Sequence, residues 1–392
     1  MVKRYRIIPN IKVGYNLSNI ILSFFIRSKE NHYIVALNKK IADIYHTDRL
    51  LLTSSGRTAL YYILLYLPEN KVIVPAYTCD VVVEAATLAG KKIIYAHVDA
   101  KSLNVEDIPE IDNDSIFIAT HQYGFPCQIK AVCDVCKQKG AIVIEDCAGA
   151  LGTEIDGQLA GTFGDFAIFS FNSSKLINAP SSGGFLIAKK KSDLEALKKR
   201  VKFNPCTFRY KIKNLCKSVV LCMDKNGYIH YWLSKVTRHN AYKAHLPAED
   251  YKPNQGILDN YHYGFYNWQA YVVLKQLNKL PFLLKKREEL AMAYRDMLSE
   301  EYQKESFERQ KSCIRYPIYL NNREEIRLRL RKKGIDIGFG FEHFVSPNNY
   351  NEEIEISKKI AYLPYSSNFS EKEVDYIINC LNQDAHDQNT HS

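Results

Sequence analysis

No apolar run near the start of this chain approaches the roughly 20 residues that a membrane helix needs. The longest one there, Ile20–Ile26, is broken by Ser23. Met1–Asn10 is basic and mixed, without the apolar core and small-residue cleavage site of a secretory signal, so a cytoplasmic protein is expected. Cysteine is present ten times, but framework spacing is lacking. Most thiols sit inside apolar runs, and the one CxxC, Cys133 and Cys136, has neither a second CxxC nor a His pair at ligand spacing beside it. Reduced thiols packed on a helix face are therefore expected, and no metal. Internal repeats and low-complexity tracts are also missing. With 46% apolar and 24% charged residues over 392 positions, disorder is excluded as the default and a large core plus a smaller domain is allowed.

Acids almost vanish between Lys198 and Lys243, where twelve Lys or Arg face only Asp224, a local surplus of +11 in a chain whose total is +10. The remainder is close to neutral. Tyr210, Tyr228, Tyr231 and Trp232 are interleaved with these cations. Such a run reads either as a solvated insertion or as an attractor of phosphate-bearing partners. A nucleic-acid partner is not expected; contact of 198–243 with an anionic membrane surface stays open.

From Asp48 onward, short apolar runs alternate with helical patterns, as a mostly parallel sheet covered by helices requires. Strands are expected at Leu50–Thr53, Val72–Val74, Lys92–His97, Ile116–Thr120, Ala141–Ile144, Phe166–Ser170 and Gly184–Ala188, with helices at Thr58–Leu67, Val81–Ala89 and Ile129–Lys139. Later patterns give helices at Tyr263–Lys279, Leu283–Glu301, Arg323–Lys333 and Glu371–Leu381, a strand at Ile314–Tyr319, and a frayed polar tail from Asp384. The expected division is an N-terminal segment 1–47, a large α/β domain 48–197, a basic aromatic insertion and connector 198–260, and a smaller C-terminal α+β domain 261–392.

Three constellations can carry chemistry. Ser54-Ser55-Gly56-Arg57-Thr58 is a small polar turn from a strand into a helix, suited to cradling a phosphate on free N–H groups or, more plainly, to capping the helix. Ala141–Cys147 is a buried strand ending in Glu145 and Asp146, at the edge where open α/β sheets bind ligands; either acid can pair with a protonated ring nitrogen or cap the next turn. Asp165–Ser170 is an apolar strand followed by a polar loop with Lys175, an amine able to form an imine once burial or a nearby cation lowers its pKa.

These segments, with Val74-Pro75-Ala76-Tyr77-Thr78-Cys79, His121-Gln122-Tyr123-Gly124, Gly183-Gly184 and Tyr362-Leu363-Pro364-Tyr365, occur in an order that resembles the DegT/DnrJ/EryC1/StrS family, mainly nucleotide-sugar aminotransferases. The similarity covers roughly Leu50 to Leu381. It implies a fold-type I transferase dependent on pyridoxal 5′-phosphate, with a mostly parallel seven-stranded-type sheet, helices on both faces and a smaller α+β domain. It further implies a homodimer that aminates a nucleotide-linked keto-sugar for surface polysaccharide or related glycans, with an amino-acid donor. Lys175 would hold the cofactor as a Schiff base and carry the proton, Asp146 would pair with the pyridine nitrogen, and Gly56, Arg57 and Ser170 would hold the phosphate. Lys175, where a sugar-dehydrating relative has histidine, favours transamination.

Four positions depart from the family pattern. Gly149 stands where Gln or His is usual, and Cys79 where the ring-stacking residue is often aromatic, so stacking passes to Tyr77 or becomes a thiol contact. Gly56-Arg57 replaces Gly-Thr. His262-Tyr263-Gly264 replaces an Asn-x-Arg that crosses to the partner subunit. His121, His262 and His343 are candidates for substrate contact, with packed structural histidines the alternative for His121 and His343. Two other readings remain beside the aminotransferase: a pyridoxal-phosphate enzyme acting on a lipid-linked or other anionic carrier, and a degenerate binding subunit.

Overall fold

The computed structural model describes residues 6–236, 245–299, 302, 314–341 and 344–389. In chain order its first strands are β1 (Leu50–Thr53), β2 (Lys71–Pro75), β3 (Lys92–Ala96), β4 (Ser115–Thr120), β5 (Ile142–Asp146), the short hairpin β6 (Glu154–Ile155) and β7 (Gln158–Leu159), β8 (Phe166–Ser170) and β9 (Gly184–Ala188). All but the hairpin form one seven-stranded sheet in the order β1-β9-β8-β5-β4-β2-β3. Only β9 is antiparallel to its neighbours, pairing Thr53 and Ser170 on either side of Gly184.

The central strands are apolar throughout because both faces are covered. Along β4, Ile116 and Ile118 point to one face and Phe117 and Ala119 to the other; along β8, Phe166 and Ile168 alternate with Ala167 and Phe169. One face packs on the helices Gly56–Tyr66, Asp80–Leu88 and Lys191–Arg200 through Leu60, Ile63, Val82, Ala85 and Leu194. The opposite face meets Ile129–Lys139 at one end, through Ile129, Val132 and Cys136, and His32–Tyr45 with Asn267–Leu277 at the other. The N-terminal helix is tied there: the Asn267 side-chain oxygen accepts from the N–H groups of Tyr33 (2.8 Å) and Ile34 (3.3 Å), supplying the cap that helix otherwise lacks.

The later elements are β10 (His245–Pro247), β11 (Tyr316–Tyr319), β12 (Gly338–Phe339), β13 (Phe344–Ser346) and β14 (Ile360–Leu363). A small antiparallel sheet, β11-β14-β12, is covered by Arg323–Lys332, Asn351–Lys359 and Glu371–Asn389. Its core continues into Tyr77, Tyr123 and Phe125 of the large sheet's loops. Three expectations need correction. The helix expected from Tyr263 spans Asn267–Leu277, because Tyr266 is its extended N-cap, with its hydroxyl accepting from Gly264. The next helix runs from Leu280 to Met297, with Pro281 in its first turn. The tail is not frayed at Asp384: the last helix continues to Asn389, and Asp384 is buried against the Tyr302 hydroxyl (2.8 Å) and Arg329 (3.0 Å).

The basic segment folds as two helices, Phe208–Asp224 and Gly227–Val236. Some of its cations are structural. Lys211 is buried and donates to the carbonyls of Phe24 (2.8 Å) and Ile26 (2.6 Å), closing the end of the helix Leu17–Phe25, and Lys225 donates to the carbonyl of Tyr15. Residues 237–244 of the segment lie outside the described residues.

Candidate active site

Because β1, β2, β4, β5 and β8 run in one direction, their carboxyl ends share one sheet edge. β1 leads to the Gly56 turn, β2 to Cys79 and β4 to His121, while β5 ends on Asp146 and β8 on Ser170. The reversed strand β9 starts at that edge, so the connection carrying Lys175 spans it. Segments more than 100 residues apart in the chain thus meet.

The Gly56 turn and Ser170 flank Gly184, and the packing is tight. A Cβ on Gly184 would fall 2.6 Å from the Gly56 nitrogen, and one on Gly56 3.2 Å from both the Phe169 carbonyl oxygen and Ser170 Cβ. Ser55 caps the helix by accepting from the Thr58 N–H at 3.0 Å. The first-turn N–H groups of Gly56 and Arg57 have no intrahelical acceptor and sit at the positive end of the helix dipole. This is a cradle for an anion. The Arg57 side chain is committed elsewhere: its guanidinium pairs with Glu84 at 2.8 Å, and Tyr261 donates to the same carboxylate oxygen at 2.9 Å.

Adjacent residues on a strand face opposite ways, and this separates the two acids ending β5. Glu145 is fully buried and spent on structure, accepting from the N–H groups of Gly161 (2.8 Å), Phe163 (2.7 Å) and Gly164 (2.7 Å), with His121 Nε2 at 3.2 Å. His121 Nδ1 accepts from the Cys127 N–H at 3.2 Å, which leaves its proton on Nε2, directed to Glu145. His121 is a packed histidine. Cys147 lies close enough to complete a His-Glu-Cys cluster, but the three backbone donors and the imidazole already occupy the Glu145 oxygens.

Asp146 faces the strand-end pocket with one oxygen on the Ala148 N–H at 2.9 Å. Burial raises its pKa, opposed by that hydrogen bond and by Lys175. Burial lowers the basicity of the Lys175 amine; Asp146 and Cys79 oppose the shift and Arg315 adds to it. Lys175 and Asp146 feel each other, yet among the described residues no ion pair within 4.0 Å joins them. The lysine loop is rigidly laced. Asn178 Nδ2 donates to the carbonyls of Asn172 (3.0 Å), Ser173 (3.1 Å) and Lys175 (2.7 Å), while the Asn178 backbone is gripped by Gln276. Cys79, the N-cap of Asp80–Leu88, is half-buried beside Lys175, its thiol pushed up to about 12 by burial and so neutral.

The structure does not bring every expected residue here. Tyr77 is wholly buried in the core it shares with the small sheet, its hydroxyl 3.0 Å from that of Tyr123 and its ring against Phe341 and Phe344, so it offers no face for stacking. His262 is exposed on the far side of the Gly56 helix, its Nδ1 3.4 Å from the Tyr62 hydroxyl. His343 lies outside the described residues. The missing side chain at Gly149 has a steric reason: a Cβ there would approach the Gly124 nitrogen at 3.0 Å and Ile314 Cδ1 at 3.3 Å. Sequence reasoning missed Asn178 and Arg315. Arg315 is buried with its guanidinium over the Tyr362 ring at 4.5 Å, and its signal was a lone cation entering the apolar strand Tyr316–Tyr319.

A desolvated amine, a buried acid held apart from it, and a backbone cradle that a Cβ would fill suit pyridoxal 5′-phosphate, which needs one group of each kind. Comparison with known proteins agrees. Over 270 residues the chain is 27% identical to a GDP-perosamine synthase of Vibrio cholerae, covering 64% of this chain and 71% of that protein. It is 31% identical over 159 residues to a UDP-N-acetyl-3-dehydro-alpha-D-glucosamine 3-aminotransferase of Acidithiobacillus ferrooxidans, covering 39% of this chain and only 43% of that one. A Bacillus subtilis protein solved with bound cofactor PMP has the same fold, with a TM-score of 0.69 at 17% identity over 95% of this chain and 83% of that one. Residues 26–382 match one family of pyridoxal-phosphate enzymes along almost their whole length, and the chain belongs to the DegT/DnrJ/EryC1/StrS aminotransferase family.

Proposed function

We propose that this protein converts the keto group of a nucleotide-linked keto-sugar to an amine, with an amino acid such as glutamate as donor. The observation that carries the reading is the convergence of the Gly56 turn, Asp146, Ser170 and the Lys175 loop at one edge of the large sheet. The substrate class is supported by the named activities of the relatives. When bound, the cofactor supplies an electron-withdrawing ring that accepts the electron pair left on the amino-bearing carbon.

The chain's own residues do the rest. Gly56 and Arg57 offer backbone N–H groups, and Ser170 its hydroxyl, to the cofactor phosphate at the helix start. Asp146 would face the ring nitrogen, where burial favours a proton on its carboxyl. Lys175 Nζ would be the covalent attachment point for the cofactor and the base that takes up and returns a proton there. Its lowered basicity leaves more of it neutral, and so nucleophilic, at neutral pH. Cys79 rather than Tyr77 would offer the ring a contact, as a neutral thiol. A visible absorption spectrum of purified protein, before and after a panel of amino acids, tests the reading. The expected result is a cofactor band that one donor converts to the amine form. A colourless protein that takes up no added cofactor points instead to a binding subunit.

The surface supports a second element of the reading, contact with an anionic membrane. The helix Leu17–Phe25 buries Ile20 and Ser23 but leaves Leu17, Ile21, Leu22, Phe24 and Phe25 exposed. Lys211 ties it to Phe208–Asp224, which exposes Phe208, Val220 and Met223 beside Arg209, Lys213 and Lys217. Apolar anchors next to cations are the two signals that peripheral membrane binding combines. No helix among the described residues is long and apolar enough to cross a membrane. Co-sedimentation with anionic but not zwitterionic vesicles, lost at high salt, is expected; equal indifference to both removes this element. The remaining elements, a cytoplasmic homodimer, are tested by sedimentation equilibrium and cell fractionation.

A further inference from the structure

Ile314, at the entry to β11, packs on the loops at the strand ends. The Ile314 N–H donates to the Tyr123 carbonyl at 2.8 Å, and Ile314 Cδ1 fills the space beside Gly149, three residues beyond Asp146. The next residue, Arg315, is at least nine-tenths buried, and its guanidinium rests over the Tyr362 ring at 4.5 Å. Among the described residues no acid pairs with it. Its positive charge reaches the Lys175 amine and the Tyr123 hydroxyl, so it belongs to the same enclosure.

A buried guanidinium without an anion is expensive to hold, and the aromatic face beneath it offsets only part of that cost. An arriving anion completes it. Two anions are already provided for in other ways: the cofactor phosphate has the Gly56 cradle beside Gly184, and a nucleotide carries its diphosphate remote from its reacting carbon. The amino donor differs, because its carboxylate is attached to the very carbon that must stand beside Lys175 Nζ. A planar guanidinium with one face on an aromatic ring presents its edge, and that edge matches a carboxylate in a two-pronged grip.

We propose that Arg315 anchors the carboxylate of the amino donor, with Tyr362 holding the guanidinium flat. The inference rests on the aminotransferase reading above. It makes Arg315 a donor-binding residue supplied by the C-terminal domain, while the residues for the cofactor come from the large sheet.

The test uses holoenzyme of the wild type, Arg315→Gln and Arg315→Lys. Each is titrated with the standard L-amino acid that converts the wild-type cofactor band fastest, and with succinate, a dicarboxylate that has no amine to transfer. Loss of a charge-assisted carboxylate grip should raise the half-saturating amino-acid concentration and the succinate Kd by about 10- to 100-fold in Arg315→Gln. Arg315→Lys, which keeps charge but not the fork, should lie between. Affinity for pyridoxal 5′-phosphate, read by band recovery after stripping, should stay within about two-fold if the Gly56 turn is what holds the phosphate. Unchanged donor and succinate affinity in Arg315→Gln overturns the proposal. So does a loss confined to cofactor affinity or to the binding of a nucleoside diphosphate, since either result gives Arg315 another anion. A wild-type band that no amino acid converts is a different failure, that of the aminotransferase reading itself.

Discussion

The strand-end pocket and the basic helical insertion both present lysines, and the two regions use them in opposite ways. At the pocket a single enclosed amine, Lys175, is made less basic by burial, with one acid opposing the shift. In the insertion Lys213 and Lys217 are exposed with Arg209, and Lys211 is buried only where two backbone carbonyls receive its charge. Desolvation makes one lysine less basic; solvent leaves the others as a field. On the proposed reading, the surplus of +11 between Lys198 and Lys243 bears on where the protein sits, and a lysine in a nearly neutral stretch bears on what it does.

The sharpest way to break this contrast is at the pocket. Lys175→Ala should abolish turnover and the visible band of bound cofactor, and a variant that keeps an unchanged band removes Lys175 from the chemistry. Asp146→Asn should leave the fold and the lysine attachment intact while lowering kcat by about 100- to 1000-fold, the usual cost of removing one preorganised electrostatic partner. Steady-state rates with unchanged cofactor content check it. A loss of less than three-fold would assign the ring-nitrogen role to another group.

How much of this could be read from the sequence differs between the regions for physical reasons. The juxtaposition of the Gly56 turn, Asp146, Ser170 and Lys175 was legible because each lies at or just after the end of an apolar strand, and parallel strands bring such positions to one edge. Choosing between Glu145 and Asp146 lay within reach of strand alternation alone, since adjacent side chains face opposite ways. The reversal of β9 was not readable, because an apolar pentad is the same in either direction. Tyr77 was misplaced because Phe341 and Phe344, which bury it, come more than 260 residues later. That the Arg57 side chain is spent on Glu84 was not readable, because Glu84 sits on another helix. The insertion was legible as charge and interleaved aromatics, but nothing local shows that Leu17–Phe25, nearly 200 residues upstream, lies against it and exposes apolar side chains.

Within the insertion, buried charge should matter to the fold in a way that exposed charge does not. His230 bridges Asp224 (Nδ1, 2.9 Å) and Asp336 (Nε2, 3.2 Å), joining the basic helices to the segment before β12. Burial alone would lower its pKa, but the two acids win and raise it from 6.5 to about 9. A folded-state pKa above the unfolded one stabilises fully below about pH 6.5 and is lost as pH rises through about 9. His230→Gln should therefore cost at most about 3 kcal/mol at pH 6 and little at pH 10. Urea unfolding of both proteins at the two pH values measures this, and an equal difference at both would leave the bridge without its charge.

The smallest expected effect is the one that isolates the surface reading. Lys213 is exposed on the face of Phe208–Asp224 that also shows Arg209 and Lys217, and no ion pair holds it among the described residues. Lys213→Gln should weaken binding to vesicles rich in anionic lipid by about 1 kcal/mol, roughly five-fold, the contribution of one cation near such a surface. Turnover in solution should be unchanged, because the residue touches neither the strand ends nor the lysine loop. Raising the salt should shrink the difference between wild type and variant, since the charge acts over no more than about one Debye length. Replacing exposed Phe25 by Ser in the same assay should weaken binding by an amount that salt does not alter. If both substitutions respond to salt alike, the exposed aromatic contributes no apolar contact, and the face is a purely electrostatic one.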